Sequence, residues 1–558
     1  MGAPRRRARR LLYAEAILVL TLLPPASPDK PNIVILLGDN VAYNDISIFG
    51  AATSKTPNID RLGMEGLKLN NWNSAAHLCS ASRAALLTGK YPVRMGIYPR
   101  VFRPDAVYGL MPNETTIAEY LKEDGYATSC VGKWHLGHRD EFLPINQGFD
   151  EWMSGIPYHM SGGSIDNHTC NSDVNETMWL PLYEGNKIIE QPVLVKGLAE
   201  RYATAASDFV HRNKGQPFFL YMAFSHVHQL CAPRDFPEQS QCQWANVPQA
   251  TFVDAVEEMD WIVGKILKTL DDTGVANNTF VLFTSDNGPW VAEQSCSGSK
   301  GPFEGRWLQE HVDHSCTACP HDYVPEPTEK QPRRCVLPGT ELSLDGVHCG
   351  ADTGLGSTWE ANIRMPALAR WPGRIAAGTE TMKMVSTLDV LPTLLSIVGK
   401  RIPDGVDGKD ITHVLSDIDN TVDDEERVLF FWRDGFRDGP LPSPYGRFDL
   451  AAAKLGRFKA WFWTKSAHYN MDEEVHHDPP LLFNVLADPA EAFPLNTEDH
   501  QDIIDQILML VAEHKKSIDW TYPWALPTDP KYIPCYDPGT GCRTTPKLDQ
   551  QTKVRSIK

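Results

Sequence analysis

Four short apolar runs, each ending in polar or charged residues, constrain this chain more than any other feature. Residues 33–37 run into Gly38-Asp39-Asn40, and residues 126–131 into Gly132-Lys133-Trp134-His135. Residues 218–224 run into Ser225-His226-Val227-His228, and residues 280–283 into Thr284-Ser285-Asp286-Asn287-Gly288. Apolar runs of this length, separated by helical patterns, predict an α/β domain around a largely parallel, doubly covered sheet. In open α/β sheets, sites form beyond the carboxyl ends of the strands. The four run ends therefore place Asp/Asn, Lys/His, His/His and Asp/Asn along one edge.

Asp39, Asn40, Asp286 and Asn287 offer oxygen and no sulfur, a donor set for a hard cation such as calcium or magnesium. Asp and Asn also favour turns after strands, so either pair alone reads as turn chemistry. Lys133, His135 and His228 supply a point charge and proton-transferring groups. His226 shares a face with His228 if the strand continues, and it reads as structural.

Cys79-Ser80-Ala81-Ser82-Arg83 opens a run of helix formers ending at Thr88-Gly89. A helix start carries unpaired N–H groups that favour anions. A reactive group at Cys79, with Arg83 one turn on, would face an anionic substrate. Taken alone, the segment reads more readily as a structural cysteine.

The compartment is legible from the first residues. A basic run at 5–10, a mostly apolar stretch at 11–23 and Pro24-Pro25-Ala26-Ser27 predict a signal peptide over residues 1–26. No later stretch is long and apolar enough to span a membrane. Four sequons, at Asn113, Asn167, Asn175 and Asn277, and 12 cysteines fit an oxidising compartment. With Cys79 set aside the cysteine number is odd, which leaves at least one other free thiol. Cys316 and Cys319 have the spacing of half a zinc site but no second pair, so disulfides are expected there. The net charge of −18 excludes a nucleic-acid partner. Protonating the 18 histidines in an acidic compartment would bring that charge close to zero.

Phe252, Val256, Met259, Val263, Ile266 and Leu270 recur at helical spacing and predict a core-facing helix. Residues 290–350 turn to Gly, Pro, Cys, His and charge, an irregular disulfide-tied insertion. After about residue 424, apolar runs at 428–432, 458–463 and 481–485 predict antiparallel strands, followed by a helix over 501–514. Cys535 and Cys542 in the tail are expected to pair.

These residues carry a resemblance. Pro31-Asn32-Ile33-Val34, Thr56-Pro57-Asn58-Ile59-Asp60-Arg61-Leu62, residues 79–89, Gly132-Lys133-Trp134-His135-Leu136-Gly137, Asp286-Asn287-Gly288 and Pro366-Ala367-Leu368 resemble the type I sulfatases. The likeness lies in the arylsulfatase A, arylsulfatase G and N-acetylgalactosamine-6-sulfatase group. It implies an alkaline-phosphatase-like α/β fold, with a large mixed sheet flanked by helices over 28–424. A smaller C-terminal α+β domain with an antiparallel sheet follows over 425–558. It implies a hydrolase of sulfated sugars or aryl sulfates in the lysosome or outside the cell. Cys79 would be oxidised to formylglycine by the formylglycine-generating enzyme. The catalytic set would be Cys79, Arg83, Lys133, His135 and His228, with Lys133, His228 and His159 against the substrate. One calcium ion, rather than magnesium, would sit among Asp39, Asn40, Cys79, Asp286 and Asn287. A homodimer is left open.

The chain departs from the family pattern at four places. Ala81 replaces a proline, Asn40 an aspartate, and Leu355 a lysine that would touch the sulfate. Ala42 and Asn44 replace glycines. The segment after Leu355 reads Ser357-Thr358-Trp359-Glu360-Ala361-Asn362. A catalytically weak, sulfatase-like protein that binds sulfated glycans is the alternative reading.

Overall fold

The computed structural model describes residues 30–158, 180–194, 197–228, 248–291, 297–311, 324–325, 335–336, 343–344, 352–416, 427–436, 441–443, 446–467 and 474–544. The expected signal peptide, His159, Asn167, Asn175, Cys316, Cys319 and most of the 290–350 insertion lie outside the described residues.

Ile, Val and Leu fill the Asn32–Gly38 strand, and every residue of it is buried. Its side chains alternate between two cores. Ile33, Ile35 and Leu37 join one with Leu86 and Leu391. Val34 and Leu36 join the other with Tyr202, Met259 and Val263. The strand thus sits mid-sheet, with the Cys79–Thr88 and Val390–Ile397 helices on one face and the Leu198–Asn213 and Pro248–Asp272 helices on the other. All six predicted core positions of the Pro248–Asp272 helix are buried.

The main sheet has 10 strands. At its centre, Thr279–Ser285, Asn32–Gly38, Phe218–Ala223, Ala127–Lys133 and Glu151–Ile156 lie side by side and parallel. Ala367–Arg370 runs antiparallel to Thr279–Ser285 and to Leu67–Leu69, which makes the sheet mixed. The register levels the strand ends. Leu37 pairs with both Ala223 and Thr284, and Ala223 also pairs with Gly132. Asp39, Lys133, Ser225 and Asp286 therefore emerge at nearly the same height.

Lys133, expected just past its strand, is the last strand residue. The register slips between Val131 and Lys133. Gly132 at the slip has φ +91°, and a Cβ there would lie 2.1 Å from the Ala223 carbonyl oxygen. Only glycine fits this bulge, which re-aims the lysine that follows.

A second sheet is wholly antiparallel, in the order Val428–Phe436, Gly446–Leu455, Phe458–Thr464, Val475–Asn484, with Leu441–Ser443 paired onto Gly446–Leu455. The Gln501–Lys516 helix covers it through Ile504, Ile507 and Val511. Trp359 and Ile363 join this core, so the two sheets share packing. The expected 481–485 strand starts earlier, at Val475, and passes through Asp478-Pro479-Pro480. Proline is tolerated there because the strand is at the edge. Cys535 and Cys542 form the expected disulfide, and Cys130 is a buried free thiol beside Cys79 in the cysteine count.

Candidate functional site

The strand ends meet the start of the Cys79–Thr88 helix. Leu78 takes the cap position with extended backbone and gives no side-chain cap, and Gly89 closes the helix in the left-handed region. The uncapped first turn leaves its N–H groups facing the strand ends. Ser80 donates to the His135 carbonyl oxygen at 2.8 Å and accepts from the Phe102 N–H, which binds this turn to the Lys133–His135 loop.

Asp39, Asn40, Cys79, Arg83, Lys133, His135, His228, Asp286 and Asn287 are all buried, none more than 4% exposed. The Cys79 thiol points at Asp39 Oδ1 (3.7 Å) and Asn40 Oδ1 (3.8 Å). Asp39, Cys79 and Asp286 each bring one ligand atom within 4.8 Å of the others. Arg83 lies across the carboxylates: Nε and Nη2 reach Asp286 Oδ2 at 3.0 and 2.9 Å, and Nη2 is 3.6 Å from Asp39 Oδ1. Its Nη1 donates to the Lys133 carbonyl oxygen. Lys133 Nζ holds Asp39 Oδ2 at 2.6 Å. Two buried anions thus face two buried cations, as desolvation requires.

The Asp286 carboxylate accepts from the Asn40 and Asn287 N–H groups. Asn287 Nδ2 donates to Asn40 Oδ1 at 2.6 Å. Asn287 Oδ1 is buried and has no hydrogen-bond partner among the described residues. An orphaned oxygen beside two carboxylates and a second amide oxygen fits a hard cation. The residues that could hold a metal are therefore Asp39, Asn40, Asp286 and Asn287, with Cys79 alongside.

Electrostatics follow burial. Desolvation drives the Cys79 thiol pKa well up, against the pull of Lys133. Desolvation, then the Lys133 cation, pushes His228 well below its ordinary value, so the ring is neutral. Its ring lies 5.4 Å from that of Trp290. Burial, and Asp39 nearby, raise Asp286 despite Arg83. Asn40 and His135 both have positive φ, +59° and +60°, in the left-handed region that costs a non-glycine residue energy and clusters at functional sites. His226 turns to Glu258 at 3.0 Å. The Leu355 segment packs here too, its N–H on the Pro289 carbonyl and that of Gly356 on the His77 carbonyl. Sequence reasoning missed Ser74, Ser80, Ser82 and Asn362. Their short polar side chains in buried surroundings were the available signal.

Among the described residues, no helix is long and apolar enough to cross a membrane. The chain matches the Sulfatase family over residues 31–400 and the C-terminal region of aryl-sulfatase over 424–544. Human arylsulfatase G (Homo sapiens) is 33% identical over 545 residues, 91% of this chain and 92% of that one. N-acetylgalactosamine-6-sulfatase of Rattus norvegicus is 32% identical, covering 92% and 90%. Arylsulfatase A of Bos taurus is 33% identical, covering 86% and 87%. In structure, the PsFucS1 sulfatase from Pseudoalteromonas sp. superposes with a TM-score of 0.67 at 24% identity, covering 88% of this chain and 92% of that one. The matched span of 31–400 takes in every strand end of the buried pocket, and named sulfatases align along nearly their whole length. This chain belongs to the sulfatase family.

Proposed function

We propose that this sulfatase cleaves sulfate from a sulfated sugar or aryl ester, with Cys79 converted to formylglycine and a calcium ion held by Asp39, Asn40, Asp286 and Asn287. The observation that carries the reading is the buried Asp39–Cys79–Asp286 pocket with Arg83 and Lys133 closed over it. An unmodified thiol in this pocket is held protonated by desolvation and is a poor nucleophile. That supports conversion to an aldehyde, whose hydrate supplies an oxygen nucleophile. The cation, when bound, withdraws charge from a sulfate oxygen.

The chain's own groups divide the remaining work. Arg83, fixed by Asp286 and Asp39, holds the nucleophilic oxygen against the carboxylates. Lys133 provides positive charge where the sulfate would lie. His228, neutral and buried, donates an N–H to the leaving oxygen. His135 takes a proton as sulfate is released. Leu355 contributes no charge, so among the described residues Lys133 and His228 carry the leaving group.

Synthesis through the endoplasmic reticulum, with residues 1–26 removed and glycans at Asn113 and Asn277, both exposed, fits a lysosomal or secreted enzyme. The formylglycine-generating enzyme is then an obligatory partner during maturation. Release of inorganic sulfate from an aryl sulfate and from sulfated saccharides at acidic pH tests the reading. Turnover that disappears in Arg83→Ala supports it. Absence of turnover with every ester, alongside retained binding of a sulfated glycan, transfers the chain to the binding-protein reading.

A further inference from the structure

We propose that Asn362 is the positioning residue that locks the metal-ligand turn to the nucleophile turn. The proposal rests on the sulfatase reading of the site. Asn362 is fully buried, and both ends of its amide are used. Its Oδ1 accepts from the Gly288 N–H at 2.9 Å, a donor it shares with the Asn362 backbone carbonyl oxygen at 2.8 Å. Its Nδ2 donates to the His77 carbonyl oxygen at 3.1 Å and to the Ser357 carbonyl oxygen at 2.7 Å. Gly288 directly follows Asn287, and His77 lies two residues before Cys79. One side chain therefore spans the gap between the two halves of the site.

The clamp has a second jaw. Ser74, in the same turn as His77, donates to the Asp286 carbonyl oxygen at 2.6 Å. Asn287 is thus tied on both sides, through Asp286 to Ser74 and through Gly288 to Asn362. Its own side-chain oxygen is the orphaned one. A Cβ at 288 would lie 2.4 Å from the Ala361 carbonyl oxygen and 2.6 Å from the Asn362 Cα, so glycine is what permits this approach. Groups outside the ligand set that orient it contribute strongly to both metal affinity and activity. Here the two effects share one residue, because moving the Gly288 end shifts Asn287 and moving the His77 end shifts Cys79.

The test uses the full chain and two variants, read by calorimetric titration with calcium alone and by steady-state kinetics on an aryl sulfate at saturating calcium. Asn362→Ala removes the three side-chain bonds and leaves the backbone bond from Gly288 to the carbonyl oxygen of residue 362. Calcium affinity should fall about 10- to 100-fold, and kcat by a similar factor, with KM moving less than about threefold because no substrate contact is lost. Asn362→Asp keeps the acceptor for Gly288 and loses both donors, so kcat should fall while calcium affinity falls less than in Asn362→Ala. A merely structural residue would lower the melting temperature without this split. Calcium affinity and kcat within about twofold of wild type in Asn362→Ala, or a loss confined to KM, overturns the proposal. If the wild type hydrolyses no ester, the proposed function fails by itself, and the calcium titrations still decide the role of Asn362.

Discussion

Lys133 Nζ stands 2.6 Å from Asp39 Oδ2 with both side chains wholly inaccessible to solvent. Attraction between such charges is strong only while both are present, and removing Lys133 leaves buried Asp39 with only the longer Arg83 contact at 3.6 Å. Lys133→Met should therefore destabilise the protein by about 3–5 kcal/mol. It should lower kcat/KM on an aryl sulfate by ~10²–10³. Thermal melts and steady-state kinetics measure the two. A normal melting temperature would mean that Arg83 alone suffices to hold Asp39.

Asn40→Asp tests the cation site. Asn40 has φ +59°, a region that aspartate also tolerates, and its Oδ1 accepts from Asn287 Nδ2. The substitution keeps the backbone and that bond and adds one formal charge to the donor set. Calcium affinity should rise by on the order of tenfold, since ligand charge sets affinity for hard cations. Calorimetric titration of the two proteins reads the difference, and unchanged affinity would remove position 40 from the ligand set.

Glu360 holds the two sheets together. Buried, it receives Lys454 at 2.9 Å and Lys459 at 3.3 Å from the second sheet and Arg364 at 2.9 Å from its own segment. Glu360→Gln leaves Lys459 with Glu491, and leaves Lys454 and Arg364 with neutral acceptors in this cluster. It should cost about 3–5 kcal/mol, visible as a lower denaturation midpoint. Any fraction that stays folded should keep a near-normal KM, in contrast with the site residues.

Stability should fall on the acid side of neutrality. Desolvation raises Asp45 and Asp260 from 3.8 to about 7. Their contribution is complete below 3.8 and is lost as pH rises through 7. Desolvation lowers His77 and His514 from 6.5 to about 3 and His138 to about 4. Their contribution is present above 6.5 and is lost as pH falls through 4 to 3. Between 4 and 6.5 the unfolded chain takes up more protons on these histidines than the folded chain does on these carboxyls. Melting temperature should therefore decline from pH 6.5 towards pH 4. His514→Asn should flatten that decline, and an unchanged acid limb would contradict the assignment.

The sheet was legible because its strands are covered on both faces and read as unbroken apolar runs, as in residues 33–37. The Gly446–Leu455 strand was not. Its Ala451-Ala452-Ala453 stretch favours helix locally, and pairing with both neighbouring strands overrides that preference. The strand-end residues announced themselves by chemistry. Asn362 did not, because its hydrogen bonds reach 74 and 285 residues along the chain, and no local pattern encodes such partners. The bulge at Gly132 was equally silent, since its cause is the Ala223 carbonyl on the neighbouring strand.

The proposed chemistry requires that Cys79 be converted and used. Mass spectrometry of the peptide containing Cys79, from protein secreted by a eukaryotic host, tests it most directly. The aldehyde or its hydrate is expected at position 79, in proportion to the sulfatase activity of each preparation. A free thiol in every molecule of a preparation that hydrolyses sulfate esters would contradict it.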